Sequence, residues 1–378
     1  MLPLYLDHNA TTPLHPEVVE AMLPYLTEHF GNPSSGHPFG RRAKQGVERA
    51  REQIAAFLGA SPGELLFTSG GTEANNLALR GHLAAITGRP RIVTSTIEHP
   101  ATEEPCRALE ASGAKVARIG VDARGIVDLA ALKESLDAGT ALVTVMHSNN
   151  ETGALQPIRE IVALARQHGV AVHTDAAQSL GKVRVDVNEL GVDLLSVAGH
   201  KLHAPKGVGV LYVRSGTALA PLLRGASHER GLRPGTENVA SIVGLGAACE
   251  ALRELPTARL SALTQRLLTL LQREIPGLTV NGPVDAALRL PNTLNVSAPR
   301  VLGRRWLERT PELAASTGSA CHDGHDAPSA VLSAMGLSRE QALGAVRLSL
   351  GRSTTEAEVD LAAAALIRSC HSLQKELP

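Results

Sequence analysis

Six short apolar runs, separated by segments of helical length, constrain this chain more than anything else in it. Glu64-Leu-Leu-Phe-Thr68, Arg91–Ser95, Lys115–Ile119, Ala141–Met146, Val170–Thr174 and Asp193–Val197 all read as buried strands. Amphipathic patterns over Arg42–Leu58, Thr72–Ile86, Ala101–Ala111 and Pro157–His168 read as the helices between them. That alternation predicts an α/β fold with a mainly parallel sheet covered by helices. A further run, Val208-Gly-Val-Leu-Tyr212, leaves the turn after Val197. After a long helical stretch from about Thr236 to Glu274 the pattern changes. Asn292–Ser297, Ala345–Leu350 and a final helix from about Thr355 predict a smaller α+β unit, with the break near Leu255-Pro256.

Composition excludes several classes of function. The 37 Lys and Arg balance the 37 Asp and Glu, which leaves no electrostatic footprint for nucleic acid or an anionic membrane. With aromatics at 2%, the core of this 378-residue chain has to be built from Leu, Val, Ala and Ile. No apolar run is long enough to span a bilayer, and Met1-Leu-Pro-Leu-Tyr-Leu6 lacks the charged start of a signal peptide. Cys106, Cys249, Cys321 and Cys370 lie far apart with no CxxC spacing, so no disulfide framework or zinc knuckle is expected. A cytoplasmic enzyme is the expectation.

In open α/β sheets a ligand sits beyond the carboxyl ends of the strands, and those ends carry unusual residues here. Ser196-Val-Ala-Gly-His200-Lys201 delivers a lysine to a turn. Held partly out of water, it can lose its proton and form a Schiff base with a carbonyl cofactor. Phe67-Thr-Ser-Gly70-Gly71-Thr72-Glu73 runs through paired glycines into a helix and suits a phosphate. It equally suits a tight capped turn. Val172-His173-Thr-Asp175-Ala-Ala-Gln178 ends a strand in a carboxylate able to keep a heterocyclic nitrogen protonated. A metal ligand or a helix cap are the alternatives. Asn149-Asn150 and His99 close two further strands.

These residues together resemble the cysteine desulfurases, pyridoxal-phosphate enzymes of the class V aminotransferase group. The resemblance runs from Tyr5-Leu-Asp-His-Asn-Ala-Thr-Thr-Pro13 to Arg347-Leu-Ser-Leu-Gly-Arg-Ser-Thr-Thr355. Between these lie Gly31-Asn-Pro-Ser-Ser-Gly-His37, Ser69–Asn76, Asn149–Gly153, His173–Ser179, Gly199–Lys201, Glu229–Asn238 and Ser319-Ala-Cys321. The resemblance implies the type I fold of PLP-dependent transferases: a large domain, 15–255, with a mainly parallel seven-stranded sheet, and a small α+β domain. The small domain would comprise 1–14 and 256–378 and carry the catalytic cysteine loop. It implies that Lys201 binds pyridoxal 5'-phosphate and shuttles the Cα proton, while Asp175 keeps the ring nitrogen protonated. Gln178 and Asn150 would address the phenolic oxygen and the substrate end. His99 would stack on the ring and act as acid or base. Gly71, Thr72 and His200 would hold the phosphate, and Thr236 would reach the phosphate of the neighbouring subunit in a homodimer. Arg347 would clamp the substrate carboxylate. Cys321, in a small-residue stretch that reads as a mobile loop, would take sulfur from L-cysteine as a persulfide. It would then pass that sulfur to a scaffold or acceptor protein for iron–sulfur cluster or thio-cofactor synthesis.

Three features depart from the family pattern. Ala198 stands where many members have a phosphate-binding serine, a role that Ser196 or water would then take over. Gly225-Ala-Ser227-His228-Glu229 replaces a triple glycine and is a less permissive backbone. Cys321-His-Asp-Gly-His-Asp326 resembles selenocysteine lyases, which makes L-selenocysteine the alternative substrate. A metal could bind the same cluster, but one short loop seldom closes a site, and none is expected. A non-catalytic sulfur- or metal-delivery protein is the remaining alternative.

Overall fold

Apolar runs that would be costly to leave in water pair edge to edge through the centre of the molecule. The structure is a computed structural model that describes residues 2–88, 90–317 and 327–376. After a short β1 (Leu4–Tyr5) come β2 (Leu65–Thr68), β3 (Arg91–Ser95), β4 (Lys115–Ile119) and β5 (Thr140–Thr144). β6 (Ala171–Asp175), β7 (Leu194–Ala198) and β8 (Gly209–Val213) come next. Strands β2 to β8 form one sheet in the order β2-β8-β7-β6-β5-β3-β4. Only β8 runs antiparallel to its neighbours, so the expected mainly parallel seven-stranded sheet is present. Every residue of β2, β5, β7 and β8 is buried, which is why these strands read as continuous apolar runs rather than alternating ones.

The helix expected from Arg42 begins earlier, at Pro38, because the His37 ring caps it and proline suits the first turn. Gly59, at φ 69°, ends it in a left-handed turn. Its buried stripe of Ala43, Val47, Ala50, Ile54 and Leu58 packs on the helix Val239–Ala251. A Cβ on Gly246 would lie 2.7 Å from the Ala50 Cα, so glycine lets the two backbones touch. The long helical stretch expected over 236–274 is two helices, Val239–Ala251 and Thr257–Glu274, interrupted just before and at Pro256. The segment expected as one helix from Thr72 is split by a wider turn over Leu77–Gly81.

Beyond that break lie β9 (Thr279–Val280), β10 (Thr293–Ser297), β11 (Leu313–Ala314) and β12 (Ala345–Ser349). β12, β10 and β9 form a small antiparallel sheet, while β11 pairs with β1 from the chain's start. A second apolar core gathers Leu263, Leu267, Val346 and Leu366 around Trp306, and Leu6 joins it. From Leu6 the chain crosses to the carboxyl ends of the large sheet, where Asn9 to Thr12 meet the Lys201 turn. Among the described residues no helix is long and apolar enough to cross a membrane.

Candidate active site

Each parallel strand of the large sheet, and β2 with them, ends on the same side, and residues just past most of these ends face one cavity of about 190 Å³. Gly71 and Thr72 arrive from β2, His99 from β3, and Asn150 from β5. β6 brings Asp175 and Gln178, and β7 brings Ala198, His200 and Lys201. His99, Asn150, Gln178 and Lys201 also line a wider cleft of about 1060 Å³, whose walls include Asp7, Asn9 and Arg347. Residues from distant parts of the chain therefore meet at one opening, because parallel strands all point their ends the same way.

The phosphate-like cradle begins at Gly70, whose φ of 153° is open to glycine and strained for other residues. A Cβ on Gly209 would sit 2.7 Å from the Gly70 Cα, so β8 needs glycine where this loop crosses it. Gly71 and Thr72, the first residues of the next helix, line the cavity, and the first N–H groups of a helix have no partner within it. Across from it, Lys201 Nζ donates to the carbonyls of Asn9 at 2.6 Å and Ala10 at 2.9 Å. Burial, and then the nearby Arg347 charge, bring its pKa down to about 8. His200 is drawn down to about 4, chiefly by burial, so it is a neutral ring at pH 7, with Nδ1 3.2 Å from Thr11 Oγ1.

Asp175 is fixed by two donors: Ala177 N–H to Oδ1 at 2.9 Å and Asn75 Nδ2 to Oδ2 at 2.7 Å. His173, its partner in the sequence motif, turns away and bonds Thr144 Oγ1 and Ser196 Oγ, both fully buried. Ser196 is thereby committed, so it does not replace the hydroxyl missing at Ala198. His99 caps the helix Pro100–Ala111, its Nδ1 accepting from Ala101 N–H at 3.0 Å. Its neutral form therefore carries the proton on Nε2. Burial holds its pKa below the usual histidine value.

Arg347, on β12, donates from Nη2 to Asp7 Oδ1 at 2.7 Å and from Nη1 to the Asn150 carbonyl at 3.0 Å. Its Nε–H is buried and has no partner among the described residues. Thr236 is exposed and lies outside this cavity. Although the loop Gly225–Glu229 has a less permissive backbone than a triple glycine, Glu229 and Arg230 take positive φ, 46° and 58°. Cys321 and the histidines and aspartates after it lie outside the described residues. The other three cysteines are buried and free, and burial raises their thiols, Cys106 to about 12 and Cys370 to about 11.

Four residues of the site carried no signal strong enough to assign them a role. Asp7 and Asn9 sit in a motif whose strand is only two residues long, and Asn75 lies just past a helix start. Lys182 lies in a Gly-Lys-Val turn that resembles solvated surface, yet it is 6% exposed. Its Nζ donates to Gln178 Oε1 at 2.8 Å and to Asn9 Oδ1 at 2.9 Å.

Residues 4–361 match the family described as aminotransferase class-V. Among curated proteins, a cysteine desulfurase of Trichormus azollae is 47% identical over 95% of this chain and 91% of its own length. The cysteine desulfurase IscS of Dictyoglomus turgidum is 44% identical over 99% of this chain and 96% of its own. Among solved structures, a NifS-like protein superposes with a TM-score of 0.91 at 36% identity, over 97% of this chain and 99% of that one. The structure described as SspA in complex with cysteine gives 0.81 at 36% identity, over 92% and 98%.

Proposed function

This chain belongs to the aminotransferase class-V family, in its cysteine desulfurase branch, and from that premise we propose how its cleft converts L-cysteine to L-alanine. One observation carries the reading: the Lys201 amine, the Asp175 carboxylate, the Gln178 amide and the Gly71-Thr72 turn all face one small cavity. That donor set fits pyridoxal 5'-phosphate. The turn and His200 would hold its phosphate, with one hydroxyl fewer because Ala198 has none to give. Asp175, already oriented by Asn75, has acceptor capacity left for a ring N–H. When bound, the cofactor supplies an electron sink for the Cα carbanion of the amino acid.

The chain's own groups do the rest. Lys201 Nζ holds the cofactor, then takes and returns the substrate's Cα proton, and its pKa of about 8 suits both tasks near neutrality. His99 would stack on the ring, and its Nε2 would exchange protons there. Arg347, which lines the wider cleft, receives the α-carboxylate. Asn150, whose carbonyl accepts from Arg347, lies beside it in the cleft. Cys321 attacks the substrate sulfur as a thiolate, and the electrons of the broken C–S bond stay with carbon, which is protonated and leaves as alanine. The sulfur remains as a persulfide and passes to an acceptor or scaffold protein.

The enzyme acts as a homodimer in the cytoplasm, with Thr236 reaching the neighbouring subunit's phosphate. Its exposure outside its own cavity supports that role. Residues 15–255 form the cofactor-binding domain, and 1–14 with 256–378 form the small one. The second apolar core, which includes Leu6, supports that division. The test is alanine release from L-cysteine and L-selenocysteine by the wild type and Cys321→Ala. The substitution should lower release from cysteine at least ~100-fold. Full retention of cysteine activity would overturn the persulfide step, and a preference for selenocysteine would overturn the substrate.

A further inference from the structure

The amide of Gln178 faces the cavity, but nothing in an amide by itself decides whether its oxygen or its nitrogen does so. Two groups on the far side decide it. Lys182 Nζ donates to Oε1 at 2.8 Å, and the Asn9 carbonyl accepts from Nε2 at 2.9 Å. Turned over, the amide would set its oxygen against the Asn9 carbonyl and its N–H groups against the lysine's N–H groups. Both contacts would be repulsive. One N–H of Nε2 goes to Asn9, which leaves the second for whatever occupies the cavity.

Lys182 is placed for this and for little else. It is buried, it lies one helical turn's spacing after Gln178, and its two side-chain partners are neutral amide oxygens. A methionine of similar length would fill the same space without desolvating an amine. What lysine adds is N–H donors. Asn9 ties the arrangement to the reactive centre, because its carbonyl also accepts from Lys201 Nζ at 2.6 Å.

We propose that Lys182 is a positioning residue of the active site. Acting through Gln178, it makes an amide N–H, rather than the amide oxygen, face the phenolic oxygen of the bound pyridoxal ring. The inference rests on the cofactor reading given above.

The measurement is a pH titration of the visible absorption of the pyridoxal-phosphate-loaded protein. An N–H at the phenolic oxygen favours its ionised form and lowers the midpoint, so losing that donor raises it. Lys182→Met should raise the midpoint by about 1 unit. Gln178→Ala should raise it similarly, and the double variant no further than Gln178→Ala alone. Lys182→Arg, which keeps N–H donors, should stay near the wild type. An unmoved midpoint in Lys182→Met overturns the proposal, and so does a shift that persists in the Gln178→Ala background. Should Lys182→Met not fold, Lys182→Leu, which likewise brings no N–H donor, carries the same two criteria. The two readings fail differently. A wild-type protein that acquires no visible band sinks the cofactor assignment, whereas a normal band with unmoved midpoints sinks only the role of Lys182.

Discussion

Lys201 and Lys182 stand on either side of Asn9, and both have lost most of their water. Lys201 bonds the main-chain oxygen of Asn9, and Lys182 bonds its side-chain oxygen. In both, burial is the main cause that lowers the amine's pKa. What separates them is the opening. Lys201 lines the cavity, whereas the donors of Lys182 are spent on two amides behind it. Desolvation alone therefore does not make a lysine reactive. Reactivity needs a low pKa together with a free approach to the amine, and of these two lysines it is Lys201, at the end of β7, that has both.

That comparison can be broken most forcefully at Lys201. Lys201→Ala should abolish the visible band of the loaded protein and lower alanine release at least ~1000-fold. Lys182→Met should keep the band. A band retained in Lys201→Ala would mean that the wrong lysine has been assigned.

A third buried cation sharpens the contrast. Arg51 bonds Glu229 at 2.6 Å and 3.1 Å, a paired charge where Lys182 has amides. Arg51→Met strands the Glu229 carboxylate, which among the described residues keeps the Phe67 N–H as its donor. It should cost about 3–5 kcal/mol in urea unfolding. Lys182→Met strands no charge and should cost less. If the two losses were equal, Lys182 would be serving mainly as a structural cation.

The smallest effect is in the pH dependence of cofactor capture by the cofactor-free protein. Attack on the carbonyl needs the neutral amine. With a pKa of about 8 for Lys201, roughly a tenth is neutral at pH 7. The capture rate should climb about tenfold from pH 7 and level off above pH 8 to 9. Stopped-flow absorbance would read it. A rate still climbing toward pH 10 would place Lys201 among ordinary solvated lysines.

Much of this site is legible in the sequence because it is local. Gly71, Thr72, His99, Asn150, Asp175, Gln178, His200 and Lys201 each lie shortly after an apolar strand, and parallel strands gather such ends on one side. The roles that escape belong to contacts spanning long stretches of chain. Asn9 reaches Gln178 across 169 residues and Lys201 across 192, and Arg347 reaches Asp7 across 340. No local periodicity records such a pairing. Ser196 misleads for a related reason: its place near the turn suggests the cavity, while its hydroxyl is bonded to His173 on the neighbouring strand.

The sequence by itself determined the alternation of strands and helices, the side of the sheet on which a ligand sits, and the lysine, carboxylate and glycine turn awaiting it. These depend on side-chain polarity and backbone freedom within a few residues of each strand end. Only the tertiary structure decided which groups hold those residues in place. It set Asn9 between two lysines, paired Arg347 with Asp7, and turned the Gln178 amide so that an N–H faces the cavity. The reason is physical: a hydrogen bond has direction and needs both partners in place, and that is settled only when distant parts of the chain have packed.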